Sequence, residues 1–368
     1  MDPLTHTLVG AAVARTPLAR GTRLAGAALL VGANLPDVDI LSFVAGSDAA
    51  MGFRRGWTHG PLAVLVLPIV LTAFLLAYDL WIRRRKPGRA PARPVRLLGL
   101  AYLGCLTHPF LDWLNTYGIR WLMPFDDRWY YGDSVFIVDP WLWLVLGGVA
   151  FLGSDRRGFP WGWLILAVLS SLLVLLAGER VPLAARAIWV LGLGAIVALR
   201  RLPGVRESPM RTAAVGLTLA SLYLVAMTVS SAVAASWVRA ELERQGVSPV
   251  HRLMVGPMPA NPFRRDVLAE TPSSYRYGSF HWLPRPSLDL HADPIDKPKS
   301  SAVLNAALEA SHIQGAISWM RFPFVEIEET AEGYTVYLLD ARYVRSRSRG
   351  FGSAVVELDR QLRVRQTR

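Results

Sequence analysis

One cysteine, Cys105, is all that this chain of 368 residues contains. It lies in an apolar run, so a disulfide framework is excluded and no Cys pair is available for a metal. Charge is also scarce, at 18%, where a soluble domain carries about 25%. Acid is scarcer than base, 28 residues against 40, which leaves a net charge of +12. There is no Gly-rich phosphate loop and no nucleophile elbow. What the chain has instead is apolar surface: 52% hydrophobic residues, 13 Trp and a mean hydropathy of +0.30. That composition excludes disorder, which needs low hydrophobicity. The excess of base alone would suit a soluble nucleic-acid binder, but the apolar runs argue against one. The remaining class is an integral membrane protein with basic loops.

Runs near the length of a bilayer crossing, roughly 20 apolar residues, are expected at Pro61 to Ile82, Leu97 to Tyr117, Ile137 to Gly153, Trp161 to Gly178, Leu183 to Leu199 and Thr212 to Trp237. The shorter ones need tilt or local thinning of the bilayer. Before residue 60 the pattern differs. Thr5 to Ala14 is too short to span, and Leu24 to Ala45 is interrupted by Asn34-Leu-Pro36-Asp37-Val-Asp39. Irregular backbone at membrane depth is tolerated only where protein buries it or water reaches it, so this region is a candidate cavity. Base concentrates at Arg15 to Arg23, Arg83 to Arg96, Arg156 with Arg157, and Arg200 to Arg211. The alternate loops hold only Arg54, Arg55, Arg120, Arg128 and Arg180. By the positive-inside rule the first group is cytoplasmic. The loops at 46–60 and 118–136, and everything after Trp237, then face out. The start, Met-Asp-Pro-Leu-Thr-His, lacks the basic n-region of a cleavable signal, so the first residues are expected to stay and can belong to a site.

After Trp237 proline and charge rise and alternation of period two appears. Phe324 to Glu329, Tyr334 to Asp340 and Gly352 to Asp359 read as strands, as does Arg276 to Trp282. Ser301 to Trp319 reads as one amphipathic helix. The expected fold is mainly α, a polytopic transmembrane helical bundle with a C-terminal extracytoplasmic α+β domain. Its parts are a metal-site membrane region at 1–145, further transmembrane helices at 146–237, and the outer domain at 238–368.

Three of the seven histidines lie in the first third, each after a threonine: His6, His59 and His108. His108-Pro-Phe-Leu-Asp112 has i,i+4 spacing, which on a helix puts both side chains on one face. They can share a metal ion, or the carboxylate can orient the imidazole; a plain His–Asp hydrogen bond in a bundle fits too. Asp37 and Asp39 beside a proline break suit a site for a hard cation, or a helix stop with Asp37 as its cap. Arg55-Gly-Trp-Thr-His59-Gly-Pro61 puts a histidine on a turn before a span, as a ligand or as an interfacial residue. His6, with Gly10 at i+4, lies on a short helix that can pack closely. Ionisable residues at membrane depth default to a functional hypothesis, and the set together resembles the ligands of a catalytic zinc. Asp126-Asp127-Arg128-Trp-Tyr-Tyr-Gly-Asp133 and Asp139 follow in an outward loop. Its aromatics fit an interfacial belt, whereas Asp133 and Asp139 can close over the site. Asn115 can bind substrate or end a helix. His251, His281, His291 and His312 have no ligand spacing, and Cys105 reads as packing.

The start Met-Asp-Pro-Leu-Thr-His6-Thr-Leu-Val-Gly10, the Asn34-Leu-Pro-Asp37-Val-Asp39 turn, Arg55-Gly-Trp-Thr-His59-Gly and His108-Pro-Phe-Leu-Asp112-Trp-Leu-Asn115-Thr, in that order, resemble the YdjM-type membrane-bound metal-dependent hydrolases. The resemblance covers roughly residues 1–145. More distantly, the His-x-x-x-Asp element with an upstream His and Asp is similar to the zinc-dependent phospholipase C and P1-nuclease pattern, without its later His and Glu ligands. The resemblance implies a membrane-embedded metal-dependent hydrolase acting on an ester or phosphoester, lipid-linked or not, at the outer face of the inner membrane. Its metal would be a divalent ion, zinc or else manganese, held by His6, Asp37, His59, His108 and Asp112. Asp37, Asp39 and Asn115 are the candidate catalytic groups, and Asp133 and Asp139 the additional ones. The expected partners are membrane lipid and that substrate, not nucleic acid. Two rivals remain: a non-enzymatic membrane scaffold or stress-response protein with a structural metal, and a transporter using the 34–39 break, which would require repeat symmetry between the halves.

Overall fold

A computed structural model describes residues 1–86, 88–154, 159–347 and 349–365. The basic pair Arg156 and Arg157 lies outside the described residues. The chain forms two compact units. One comprises Met1–Val38, Arg55–Ser231 and Gly256–Pro262; the other comprises Asp39–Arg54, Ala232–Val255 and Phe263–Arg368.

The first unit is helical. It contains α1 (Pro3–Val13), α2 (Ala25–Gly32) and the start of a 3-10 segment (Leu35–Ala45) whose remainder, with α3 (Ser47–Phe53), belongs to the second unit. Then come α4 (Pro61–Trp81), α5 (Pro94–Trp113), α6 (Pro140–Leu152), α7 (Phe159–Leu175), α8 (Leu183–Arg200), the short α9 (Pro203–Arg206) and most of α10 (Pro209–Arg244). Among the described residues, three helices are long and apolar enough to cross a membrane: Pro61–Arg85, Leu183–Arg200 and Pro209–Arg244. α2 and the 3-10 segment pass the same test only as a pair bent by 43°, the broken helix expected at Pro36. Pro140–Leu152 and Trp161–Leu175 are shorter apolar helices. At 1.5 Å per residue, α4 is about 31 Å long, close to the hydrocarbon thickness of a bilayer. α5 stops at Trp113, short of the expected Tyr117, because the Asn115 carboxamide oxygen accepts the Tyr117 N–H (2.8 Å) and turns the chain.

Small residues let three of these helices meet backbone to backbone. A Cβ at Gly10 of α1 would lie 2.9 Å from the Leu29 carbonyl oxygen of α2, and one at Gly104 of α5 would lie 3.0 Å from the same oxygen. Close approach through small residues is how membrane helices associate. It sets His6, one turn before Gly10, and His108, one turn after Gly104, near the end of α2. Asp2 caps α1, accepting the Thr5 N–H (3.0 Å) and the Thr5 hydroxyl (2.6 Å).

The second unit has two sheets. The first has strands β1 (Arg252–Met258), β2 (Asn261–Glu270), β3 (Ser274–His281) and β4 (Ser287–Leu290) in that order, with β5 (Ile295–Asp296) also on β3. The second is an antiparallel meander of β6 (Pro323–Thr330), β7 (Gly333–Asp340) and β8 (Ser353–Asp359), with Val336 opposite Ile327 and Val356. The four strands read from the sequence are β3, β6, β7 and β8. β1 and β2 escaped because Gly256-Pro257 and the Arg264-Arg265-Asp266 run hide their alternation. The helix expected over Ser301 to Trp319 is instead three pieces: α11 (Ala302–Leu308), a 3-10 turn (Ser311–Ile313) and α12 (Gln314–Trp319). Ala310 is extended there (φ −63°, ψ 122°), and the Gln314 side chain donates to the carbonyls of Leu308 and Ala310 (2.8 and 3.0 Å), which ends one helix and starts the other. α10 continues past the expected end at Trp237, since Ala234, Val238 and Leu242 form an i,i+4 stripe buried with Val267, Phe280 and Leu288.

Candidate metal centre

Four side chains of the first unit, Asp37, His59, His108 and Asp112, offer ligand atoms that all lie within 4.8 Å of one another. They could hold a metal ion. Asp37 comes from the 3-10 segment, His59 from the turn before α4, and His108 and Asp112 from successive turns of α5. The side chains of His59, His108 and Asp112 are fully buried, and Asp37 is 19% exposed.

Asp112 is the hub. Its Oδ2 is 3.4 Å from His59 Nε2, 3.5 Å from His108 Nε2 and 3.0 Å from Arg55 Nε. Its Oδ1 is 3.3 Å from His6 Nε2 and also accepts from the α-amino group of Met1. His108 Nε2 faces Asp37 Oδ1 at 3.6 Å.

The tautomer of His108 follows from its other nitrogen. Nδ1 is 2.7 Å from the Ala33 carbonyl oxygen, and a carbonyl can only accept, so Nδ1 carries the hydrogen. In the neutral ring the lone pair is then on Nε2, which is buried among the carboxylates and makes no hydrogen bond. A ring N–H fixed by a backbone carbonyl is the usual outer shell of a metal-binding histidine. His59 is tethered similarly, with Nδ1 2.9 Å from the Thr58 hydroxyl. A buried polar atom without a partner is costly, and a cation between His108 Nε2 and Asp112 would give that nitrogen one. The residues therefore fit a divalent ion.

The remaining expected residues fall as follows. His6 is fully buried and stacks on His108 (centroids 3.8 Å apart, 17° between planes), beside Asp112 but outside the four-residue group. Asn115 is buried, and its Oδ1 accepts from Arg55 Nη1 (3.1 Å) and Tyr117 N. Asp39 is not brought to this group; within the second unit its carboxylate pairs with Arg54 Nε at 3.1 Å. Asp139 caps α6, accepting the N–H groups of Trp141 (2.9 Å) and Leu142 (3.2 Å) and the Tyr223 hydroxyl (2.8 Å). Asp133 has φ of 46°, and its backbone carbonyl accepts from Ser231. Neither Asp133 nor Asp139 is a member of the group.

Sequence reasoning missed Arg55 as a site residue. It is buried, pairs with Asp112, and stacks over Tyr117 (4.4 Å). The signal was present: an arginine four residues before His59, on a loop that is otherwise poor in base. Trp143 was also missed; its indole N–H lies within reach of Asp2 Oδ1 (3.2 Å) and Thr5 Oγ1 (3.1 Å), tying α6 to the start of α1.

Residues 1–181 match the family model of the YdjM inner membrane protein. This part of the chain belongs to that family, as its four ordered motifs suggested, and the match extends past residue 145. No curated protein and no solved structure matches the chain.

Proposed function

We propose that this YdjM-family region is a membrane-embedded, metal-dependent hydrolase, with the ion held by Asp37, His59, His108 and Asp112. The observation that carries the reading is the Asp112 hub, where two oriented imidazoles and a second carboxylate converge on one buried oxygen. Two imidazoles and two carboxylates suit zinc, and manganese less closely. Such an ion, when bound, lowers the pKa of water to about 7 and polarises an ester.

The chain's own groups do the rest. Arg55 and Asn115 form a brace that keeps the Asp112 carboxylate turned towards the histidines. His6 supports the opposite oxygen. Asp37 is the one member of the group that solvent touches, so water enters beside it, and its second carboxylate oxygen is the group that takes a proton from that water. Asp39, committed to Arg54, is left out of this chemistry. Inner membrane location is supported by the family and by the candidate spans. We extend this to a multi-pass chain with its C-terminal domain outside, on the distribution of base along the loops.

The rival is a membrane scaffold with a structural metal. A count of four ligands favours it, because structural zinc is closed by four while catalytic zinc keeps an open position. The partial exposure of Asp37 favours catalysis. The deciding experiment measures metal content and phosphoesterase activity on purified protein beside His108→Ala. The hydrolase reading expects stoichiometric metal and turnover, both lost in the variant. Metal without turnover on any ester would leave the scaffold, and no metal after metal-replete purification would end both.

A further inference from the structure

The buried metal group has a side open to the surroundings, and its lining is mostly hydrocarbon. A cleft of about 510 Å³ reaches Asp37 and is walled by Leu30, Val31 and Val38, with Thr7 and Asn34 at its polar edge. That volume lies within the range of small-molecule sites. Val31 and Val38 are 45% and 42% exposed. Asn34 is held in place, since its Nδ2 donates to Thr7 Oγ1 (3.0 Å) and to the Leu30 carbonyl (2.9 Å). The other three side chains of the group are sealed, so a ligand gains access past Asp37 along this wall.

Charge decides what kind of head group would come to rest there. A divalent ion balances the two carboxylates Asp37 and Asp112. Arg55, paired to Asp112 at 3.0 Å, and the α-amino group of Met1 on the other oxygen of the same carboxylate then leave the site with positive charge in excess. A neutral ester gains nothing from that excess, whereas an anionic phosphoester does.

We propose that the cleft seats the hydrocarbon chain of a membrane amphiphile whose phosphoester head reaches the metal group at Asp37. This deepens the hydrolase reading and rests on it. The anion and the chain are recognised by different residues, and each makes its own demand on a ligand.

The test uses binding rather than turnover. Full-length, zinc-loaded protein in amphipol is titrated with ethyl-, hexyl- and decylphosphonate, and with decyltrimethylammonium as a chain of opposite charge. Affinity is expected to rise by about fourfold for each methylene that enters the cleft. Decyltrimethylammonium is expected to bind at least tenfold more weakly than decylphosphonate. Val31→Trp and Val38→Trp each fill part of the cleft without adding charge. Each is expected to flatten the chain-length dependence while zinc content and ethylphosphonate affinity stay unchanged. Two separate substitutions at exposed positions guard against misfolding in either one. Equal affinity for all three phosphonates overturns the chain site. Equal affinity for the two decyl compounds means adhesion of surrounding lipid only, and overturns the head-group assignment. Unchanged chain dependence in both variants places the chain elsewhere. Absence of zinc in the wild type instead removes the underlying metal reading, an outcome distinct from all of these.

Discussion

Asp112→Asn separates the two jobs that converge on this residue. The substitution keeps the side chain's volume and deletes its charge. Asp112 is fully buried, and Arg55, whose Nε is 3.0 Å away, is 6% exposed. The variant therefore strands a buried guanidinium, with the α-amino group of Met1 and His6 losing the same partner. Removing one member of a buried pair costs about 3–5 kcal/mol, because the other remains desolvated and uncompensated. For a domain of 150–250 residues that is a fall of about 6–20 °C in Tm. Replacing the guanidinium as well, in Arg55→Met/Asp112→Asn, removes the stranded charge and is expected to recover more than half of the loss. Zinc is a different matter. Oδ2 of Asp112 is the oxygen facing both histidines, so both variants are expected to lose the ion. The assay is thermal unfolding in detergent, with and without chelator, alongside metal content. Wild type should be destabilised by the chelator, and neither variant should respond to it. A double variant no more stable than Asp112→Asn would refute the stranded-charge argument. Stoichiometric zinc in Asp112→Asn would refute the ligand assignment.

Three further outcomes are expected. Asp139→Ala should lower stability by about 1–2 kcal/mol through loss of the α6 cap while leaving zinc content intact; loss of zinc would make Asp139 part of the site after all. Gly315→Ala should destabilise the second unit by at least 1–3 kcal/mol, the usual cost of overpacking, because its Cβ would lie 2.0 Å from the Asp48 carbonyl oxygen and 2.8 Å from Gly52 N; an unchanged unfolding midpoint would contradict the tight seating of α3 on α12. Glu270 tests pH dependence: burial pushes its carboxyl up, but the side chains of Arg252 and Lys297 outweigh that and hold it below the ordinary carboxylate range. A depressed folded-state pKa contributes stability above the unfolded value of about 4.3 that is lost as pH falls through the folded one. Glu270→Gln should therefore be about 1 kcal/mol less stable at pH 7 and converge with wild type in acid, and a gap that persists below pH 3 would sink the assignment.

The apolar runs by themselves determined that this chain meets a membrane, because a long stretch such as Pro61 to Trp81 has few other uses. Spacing determined that His108 and Asp112 share a helical face, since 3.6 residues per turn leaves them no alternative. Proline determined the break at residues 34–39. The alternation of Tyr334 to Asp340 marked a strand for the same local reason.

The assignments that failed or stayed open were those in which a residue's role depends on its neighbours in space. Asp37 and Asp39 are two carboxylates separated by one residue at the same proline break, yet one faces His108 and the other is taken by Arg54. Asp139 carries the same carboxylate as Asp112 but spends it on the first turn of α6 and on Tyr223. Arg55 counted only as a loop charge until the backbone approach of Gly10 and Gly104 to α2 drew the histidines together around its carboxylate partner. Sequence supplies the ligand types and their local periodicity. Which carboxylate meets which cation is decided by contacts between residues far apart in the chain, and those exist only once the helices have packed.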